Sequence, residues 1–355
     1  MEKIYTLTFQ RVLNYGAALQ AYGLSKFLSN SGFDVEVIDY LPNYFFMQTM
    51  LPAKSFKRTV DKYIKYQQFK QFRERNLPLS AKIYYTQKSL YLLPEAYAVV
   101  CGSDQIWNHR LTGGKLDKSF YLNFVKEGAR KIAFAASAGS IRLKDTKESV
   151  LPLLNSFSNL GVREAVMAED ITSMNPELSP EIVVDPSLLI NDYSEVLLDE
   201  FLPDSDYVVS YVVGSGEMLF SFNQRVNELK KLTNLKVIHL GAKAISAADK
   251  NVLNIGPGHW ASFIKNASFV ITNSFHGTAF ALNFGKDFIV IPHKIDNLNQ
   301  RQKTLLLGIG LEDRLLIDNQ EIEEKHLRKL NYGEIKPKLD GIISKSRDFL
   351  LGALI

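Results

Sequence analysis

The sequence predicts an α/β protein with two doubly wound parallel-sheet domains that face each other across a cleft. Short β-branched runs alternate with helical patterns in both halves of the chain, as in parallel βαβ units. Glycine and polar residues repeatedly follow these runs, at the positions where parallel sheets bind ligands. The length of 355 residues also exceeds the roughly 250–300 residues at which a single core stops growing.

The N-terminal half begins with a predicted strand at residues 3–9. The helix that follows has an apolar face and stops at Gly32. That face consists of Ala17, Ala21, Leu24 and Leu28. Further strands are predicted at residues 35–39, 98–101, 132–136, 160–162 and 182–184.

The C-terminal half repeats this pattern. A strand is predicted at residues 207–213, followed by Gly214-Ser215-Gly216 and a helical pattern that ends at Leu232. Further strands are predicted at residues 236–240, 252–255, 269–272 and 288–291. An acidic stretch with Pro203 marks the domain junction, which gives domains of residues 1–195 and 196–335. A final helix at 336–355 is predicted to pack back on the first domain.

A basic and aromatic insertion at residues 41–94 interrupts the first domain. Its basic residues are Lys54, Lys57, Arg58, Lys62, Lys65, Lys70, Arg73 and Arg75. One interpretation is a solvated helix face beside a core stripe. The stripe comprises Val60, Tyr63, Ile64, Phe69 and Phe72. The alternative is a docking surface for an anionic acceptor or for membrane lipid headgroups.

Composition and charge narrow the class of protein. The net charge of +4 suits an anionic substrate, and no nucleic-acid-binding signature accompanies it. The single cysteine, Cys101, lies in an apolar run and is predicted to be a buried hydrophobe. No apolar stretch reaches the ~20 residues that span a bilayer, and no signal peptide is seen. We therefore expect a cytoplasmic protein, with the insertion as a candidate contact to the inner face of the membrane.

Polar residues cluster after the predicted strands of the first half. Asn14-Tyr15-Gly16 opens the first helix, and Gly102-Ser103-Asp104-Gln105 follows the strand at 98–101. These residues are candidates to bind or orient a substrate. Asp104 and Asp185 are also candidate general bases, although an aspartate before Pro186 often caps a turn. No loop completes a dinucleotide or P-loop motif, so these cofactor sites are not supported.

Arg163 and His276 are the principal candidates for chemistry. Arg163 closes the strand at 160–162, and its guanidinium matches a carboxylate or phosphate. A structural ion pair with Glu164 or Asp185 is the alternative. His276 lies in the first turn of a helix capped by Ser274, where backbone N–H groups attract anions. A structural histidine at this turn is the alternative.

Several motifs keep a fixed order along the chain. They include Asn14-Tyr15-Gly16-Ala17, Gly102-Ser103-Asp104-Gln105-Ile106-Trp107-Asn108, Val162-Arg163-Glu164, Val184-Asp185-Pro186 and Asn273-Ser274-Phe275-His276-Gly277. In this order and spacing they resemble the polysaccharide pyruvyl transferase family. Two positions depart from the family pattern: Gln10 stands where histidine is common, and Ala138 where an aromatic residue is common.

The resemblance implies two Rossmann-like domains arranged as in GT-B enzymes. It implies transfer of pyruvate from phosphoenolpyruvate onto two hydroxyls of a sugar, with release of phosphate. Arg163 and His276 are then catalytic, and both bind the donor together with Ser274, Phe275 and Gly277. The acceptor is a sugar or a lipid-linked oligosaccharide of a surface-polysaccharide precursor. No organic cofactor is required, no metal ligands are assigned, and the oligomeric state is left open.

Two other functions are compatible with these residues. The first is a nucleotide-sugar glycosyltransferase of GT-B type. The second is a protein that binds a sugar or an anion without catalysis. Stabilisation by UDP- or GDP-sugars rather than by phosphoenolpyruvate favours the first, and domain closure without turnover favours the second.

Overall fold

The computed structural model describes residues 1–51, 56–317 and 320–355, apart from the side chains at positions 48, 50, 57 and 58. The chain divides into two compact units. The first unit comprises residues 1–190 and 341–355, and the second comprises residues 191–340. Each unit contains its own parallel sheet, which confirms the predicted fold class of two α/β domains.

The first unit is built on a sheet of seven parallel strands. They are β1 (Lys3–Leu7), β2 (Asp34–Tyr40), β3 (Leu79–Tyr84), β4 (Ala98–Cys101), β5 (Arg130–Ala136), β6 (Asn159–Val162) and β7 (Glu181–Ile182). Their order across the sheet is β3-β2-β1-β4-β5-β6-β7. The order reverses between β1 and β4, and ligands of doubly wound sheets bind at such a switch point.

The helices of the first unit are α1 (Tyr15–Asn30), α2 (Asn43–Met50), α3 (Phe56–Asn76), α4 (Gln87–Leu90), α5 (Lys147–Leu154) and α6 (Ala165–Met174). The predicted apolar face of α1 is buried, as expected. Cys101 is fully buried, and this burial raises the pKa of its thiol. Both sequence predictions are therefore confirmed.

The second unit repeats the arrangement on five parallel strands. They are β8 (Tyr207–Tyr211), β9 (Lys236–His239), β10 (Lys250–Asn251), β11 (Phe269–Thr272) and β12 (Phe288–Val290). The order β10-β9-β8-β11-β12 again reverses beside the first strand of the unit. The helices are α7 (Glu217–Thr233), α8 (Pro257–Asn266), α9 (Phe275–Asn283), α10 (Gln300–Ile309) and α11 (Tyr332–Leu354).

The last part of α11 belongs to the first unit. The Tyr97 hydroxyl donates a hydrogen bond to the Leu354 carbonyl at 2.6 Å. The Ser346 hydroxyl accepts one from the Val184 backbone N–H at 3.0 Å. Within the described ranges, no helix combines the length and apolarity needed to cross a membrane.

Two strand predictions are wrong. Residues 252–255 are not a strand, because the edge strand β10 occupies Lys250–Asn251 instead. No strand was predicted in the insertion, yet β3 pairs with β2 at the edge of the sheet. An edge strand is held by backbone hydrogen bonds on one side only, so its side chains need not show a buried pattern.

The predicted core stripe of the insertion is also partly wrong. Phe69 and Phe72 are buried as expected. Val60, Tyr63 and Ile64 are 39%, 62% and 42% exposed. The predicted solvated basic face is wrong at Arg73, which is buried. Lys54 and the side chains of Lys57 and Arg58 lie outside the part of the chain that the structure describes.

Gly102 is required by the close packing of β4 against β5. Its φ angle is +112°, and a Cβ atom there would lie 2.1 Å from the Phe134 carbonyl oxygen. Gly32 shares a positive φ of +92°, but a Cβ there meets nothing within 4 Å. A side chain at Gly32 would therefore meet backbone strain alone, whereas one at Gly102 would meet both backbone strain and steric overlap.

We expect Gly102→Ala to lower the free energy of unfolding by about 3 kcal/mol, because overpacking adds to backbone strain. Gly32→Ala is the matched control and should cost about 1 kcal/mol, from backbone strain alone. Urea unfolding of both variants measures the difference. Equal losses would show that the contact with Phe134 does not matter.

Candidate functional site

A buried ion pair lies at the carboxyl edge of the first sheet. Arg163 follows β6 directly and is 3% exposed. Its Nη1 donates to Asp185 Oδ2 at 2.5 Å, and its Nη2 lies 3.8 Å from Asp104 Oδ1. The ion pair with Asp185, weighed as the structural alternative for Arg163, is therefore present. It holds the guanidinium in a fixed orientation between two carboxylates.

Asp185 is engaged by more than Arg163. The Ser103 hydroxyl donates to Asp185 Oδ2 at 2.7 Å. The backbone N–H of Ser187 donates to Asp185 Oδ1 at 3.0 Å and begins a 3₁₀ helix at Pro186–Leu188. Asp185 thus caps a turn, as the sequence allowed. Its two oxygens thus accept from three donors, namely Arg163, Ser103 and the Ser187 backbone.

A hydrogen-bond network closes the switch point between β1 and β4. The Thr8 hydroxyl donates to the Ser103 carbonyl at 2.8 Å. Gln20 donates from Nε2 to Thr8 Oγ1 at 2.8 Å and accepts at Oε1 from the Ser103 N–H at 3.2 Å. The site prediction from sequence missed both Thr8 and Gln20. The available signal was a polar Gln20 within the apolar face of α1.

Asp104 and Gln105 shape the loop after β4. Asp104 has a φ of +72°, and its Oδ1 accepts from the Gln105 N–H at 2.8 Å. The Gln105 side chain accepts at Oε1 from Asn108 Nδ2 at 2.9 Å. Asp104 is therefore held beside Arg163, whereas the Gln105 side chain is turned to its own loop.

Asn14, Tyr15 and Gly16 begin α1. Asn14 is the N-cap, and its Oδ1 accepts from the Ala17 N–H at 3.2 Å. Lys65 Nζ lies 4.7 Å from the centre of the buried Tyr15 ring, and burial lowers the pKa of Lys65 to about 8. The first turn of α1 therefore has the Lys65 ammonium group beside it.

Glu164 is a buried carboxylate that the predicted site did not include. It is 3% exposed and follows Arg163 in the chain. The Ser137 hydroxyl donates to Glu164 Oε1 at 2.5 Å and accepts from the Gly139 N–H at 3.0 Å. From the sequence, Glu164 was expected only as a possible ion-pair partner of Arg163. Its contact with Ser137 depends on β5 and β6 being neighbours.

His276 lies in the first turn of α9 in the second unit. Ser274 is the N-cap, and its hydroxyl accepts from the Gly277 N–H at 3.4 Å. His276 is 5% exposed, and the Phe275 ring stands against the imidazole with centres 5.4 Å apart. A Cβ atom at Gly277 would lie 2.4 Å from Thr272 Oγ1, so only glycine lets the turn pack on β11.

Asn273 fixes the loop that precedes His276. Its Oδ1 accepts from the Val213 N–H at 2.7 Å, and its Nδ2 donates to the Val213 carbonyl at 2.9 Å. This paired contact joins the ends of β8 and β11, which flank the switch point of the second sheet. The anion-attracting start of α9 thus lies where ligands of such sheets bind.

Other histidines of the second unit have partners of their own. His239 is fully buried between the Ser210 hydroxyl and the Lys243 carbonyl, and burial lowers its pKa to about 4. His259 lies in the first turn of α8, with Nε2 3.0 Å from a Glu200 carboxylate oxygen. In the part of the chain that the structure describes, no three His, Cys, Asp or Glu side chains group as metal ligands would.

A sequence model of the family described as polysaccharide pyruvyl transferase matches residues 14–295. The match begins at the N-cap of α1 and includes both Arg163 and His276. The chain belongs to this family. The family assignment made from the sequence motifs is thus confirmed.

Two solved structures show the same fold at low sequence identity. One is the UDP-GlcNAc 2-epimerase from Neisseria meningitidis bound to UDP-GlcNAc, with 11% identity and a TM-score of 0.53, covering 100% of this chain and 99% of that one. The other is MnaA from S. aureus with UDP, at 12% identity and a TM-score of 0.51, covering 99% and 88%. The transferase therefore has a GT-B-like fold. No curated protein matches its sequence.

The Arg163–Asp185 pair leads to a prediction for stability. Asp185→Asn should lower the free energy of unfolding by about 3 kcal/mol, because it leaves the buried Arg163 charge with only the more distant Asp104 carboxylate. Urea unfolding at neutral pH measures this loss.

Asp170→Asn provides the matched control. Asp170 is also buried and pairs with Arg142, but the Arg142 side chain is 36% exposed and can be solvated instead. We expect a loss of about 1 kcal/mol for this variant. A loss at Asp185 no larger than that at Asp170 would contradict the view that Arg163 depends on Asp185.

Proposed function

We propose that this transferase moves pyruvate from phosphoenolpyruvate onto two hydroxyls of a sugar in a surface-polysaccharide precursor, in the cytoplasm. The product is a cyclic ketal, and phosphate is released. The observation that carries the proposal is the family match over residues 14–295, which spans the candidate sites of both units. The fold alone does not select this chemistry, because one fold serves many reactions.

The proposed reaction balances without an oxidant or a reductant. The two sugar oxygens form bonds to C2 of the donor, while the bond from C2 to the phosphate oxygen breaks. One hydroxyl proton reaches C3, which becomes a methyl group, and the other leaves with phosphate. The protein must therefore bind two anionic groups, deliver a proton and accept one.

Arg163 supports the first requirement. Its position at the carboxyl edge of the sheet suits a ligand, and its guanidinium can bind a carboxylate or a phosphate in a bidentate manner. Asp185 lies 2.5 Å from one terminal nitrogen of that guanidinium, and Asp104 lies 3.8 Å from the other. Because these carboxylates fix the orientation of the guanidinium, little side-chain entropy is lost when the substrate binds.

His276 supports proton delivery. The start of α9 offers backbone N–H groups to an anion, and the imidazole lies in the same turn. In this proposal the imidazole donates a proton to C3 or to the departing phosphate. General acid catalysis of this kind contributes roughly 10²–10⁴-fold to the rate.

Asp104 is the better candidate for the base that accepts the hydroxyl proton. Asp185 already accepts from Arg163, Ser103 and Ser187, and it is 1% exposed. Asp104 is 7% exposed, and its Oδ1 accepts from the Gln105 N–H and lies 3.8 Å from Arg163 Nη2. The proposal therefore assigns proton removal to Asp104 and positioning to Asp185.

A nucleotide-sugar donor is the competing possibility. The two proteins of like fold were solved with UDP-GlcNAc and with UDP. Thermal-shift measurements with UDP-sugars and with phosphoenolpyruvate separate the two donors, since a ligand stabilises the state that binds it. Stabilisation by UDP-sugars alone would replace the proposal with glycosyl transfer.

Turnover by purified variants tests the assignment of residues. His276→Gln and Arg163→Lys should each reduce phosphate release from phosphoenolpyruvate at least about 10²-fold, because each removes a group that acts on the donor. Lysine keeps the positive charge beside Asp185, so the fold should survive. The assay measures phosphate with a saccharide acceptor present and absent, and NMR of the product detects the ketal.

His259→Gln is the control for the histidine. His259 is 5% exposed, as is His276, and also lies in the first turn of a helix in the second unit. We expect its rate to match that of the unaltered protein. If His276→Gln still releases phosphate in an acceptor-dependent way, His276 has no part in the mechanism. If the unaltered protein releases no phosphate with any saccharide tested, the proposal is wrong.

A further inference from the structure

Helix α3 has two apolar faces on opposite sides. One face packs on α1: the Phe69 ring lies 5.3 Å from Tyr15, and the Phe72 ring lies 6.4 Å from Tyr22, measured between ring centres. An amphipathic helix of a globular protein needs one apolar face, which it buries against the core. The second face lies away from these two contacts with α1.

The second face is an exposed stripe. It consists of Phe56, Val60, Tyr63 and Ile64, which are 86%, 39%, 62% and 42% exposed. Their spacing of four, seven and eight residues from Phe56 places them on one side of the helix, opposite Phe69 and Phe72. We call these four residues the outer stripe.

Helix α2, which precedes α3, also exposes apolar residues. Lys62 Nζ donates to the Leu51 carbonyl at 2.7 Å, which places the end of α2 beside the second turn of α3. Phe46, Met47 and Leu51 are 42%, 52% and 45% exposed. Several exposed apolar side chains on two neighbouring helices are a candidate interaction site on a soluble protein.

The charge of α3 identifies the kind of partner. The helix has seven basic residues and two acidic residues. Arg73 is buried, and Lys70, whose side chain is 43% exposed, lies 3.8 Å from the Glu74 carboxylate, whereas Arg75 is exposed towards the end of the helix. Apolar side chains flanked by lysine and arginine are the pattern of helices that lie in the headgroup region of an anionic bilayer.

We propose that the outer stripe of α3, with the end of α2, docks the protein on an anionic membrane surface. The apolar side chains enter the headgroup region, and the flanking basic side chains bind the lipid phosphates. A second copy of the chain fits less well, because it would bring the same positive charges together. If the acceptor is lipid-linked, which rests on the function proposed above, this contact keeps the enzyme beside its substrate.

Vesicle sedimentation tests the proposal without donor or acceptor, so its outcome is independent of the proposed reaction. The probes are vesicles of phosphatidylcholine alone and of phosphatidylcholine with phosphatidylglycerol. We expect binding to the mixed vesicles only, weakened by salt because the attraction is screened. The double variant Phe56→Ser/Tyr63→Ser should bind about tenfold more weakly, since two aromatic side chains no longer enter the lipid.

Phe220→Ser/Leu307→Ser is the matched control. These residues are 65% and 66% exposed and belong to the second unit, so their loss removes similar apolar surface elsewhere. The control should bind as the unaltered protein does, and circular dichroism should show that all variants are folded. Equal binding by both double variants, or no binding by the unaltered protein, would overturn the proposal. A dimer detected by sedimentation equilibrium for the unaltered protein, but not for the Phe56/Tyr63 double variant, would also overturn it, because the outer stripe would then be a dimer interface.

Discussion

The candidate site of the first unit depends on the cost of burying a charge. Arg163 is almost completely enclosed, and a guanidinium in that position is tolerated only with an anionic partner. Asp185 supplies the charge, and Ser103 and Ser187 occupy its other acceptor positions. These contacts link β4, β6 and the segment after β7. The positions of Ser103, Arg163 and Asp185 are therefore coupled through one buried charge.

In both units, side-chain hydrogen bonds connect the loops at the switch point of the sheet, but different residues make them. In each, strand order reverses beside the first strand, so the loops on either side of the reversal diverge and must be tied together. Thr8 and Gln20 make the tie in the first unit through the backbone of Ser103. Asn273 makes it in the second unit through the backbone of Val213. Both ties use amide side chains, which can donate and accept at once.

The sequence predicted the central strands well but missed the edge strand β3 and misplaced the edge strand β10. β4 and β11 are buried on both faces, so a run of apolar residues locates them to the residue. β3 and β10 lie at sheet edges, where pairing is decided by the backbone of a neighbour that sequence periodicity does not reveal. The same limit applies to the site. Arg163 and Asp185 were recognisable as strand-end residues, but the Ser137–Glu164 contact requires knowing that β5 and β6 are adjacent.

In helix α3, the spacing of apolar residues along the sequence does not show which of them are buried. Its sequence repeats apolar residues on two sides, and periodicity treats Phe56, Val60 and Phe69 alike. Only the position of α1 decides which side is enclosed, and it selects Phe69 and Phe72 because they meet Tyr15 and Tyr22. The remaining side keeps its apolar residues although the fold gains nothing from exposing them. Because exposed aromatic residues beside basic ones are unfavourable in water yet suited to an anionic interface, the outer stripe is better explained by contact with a surface than by folding.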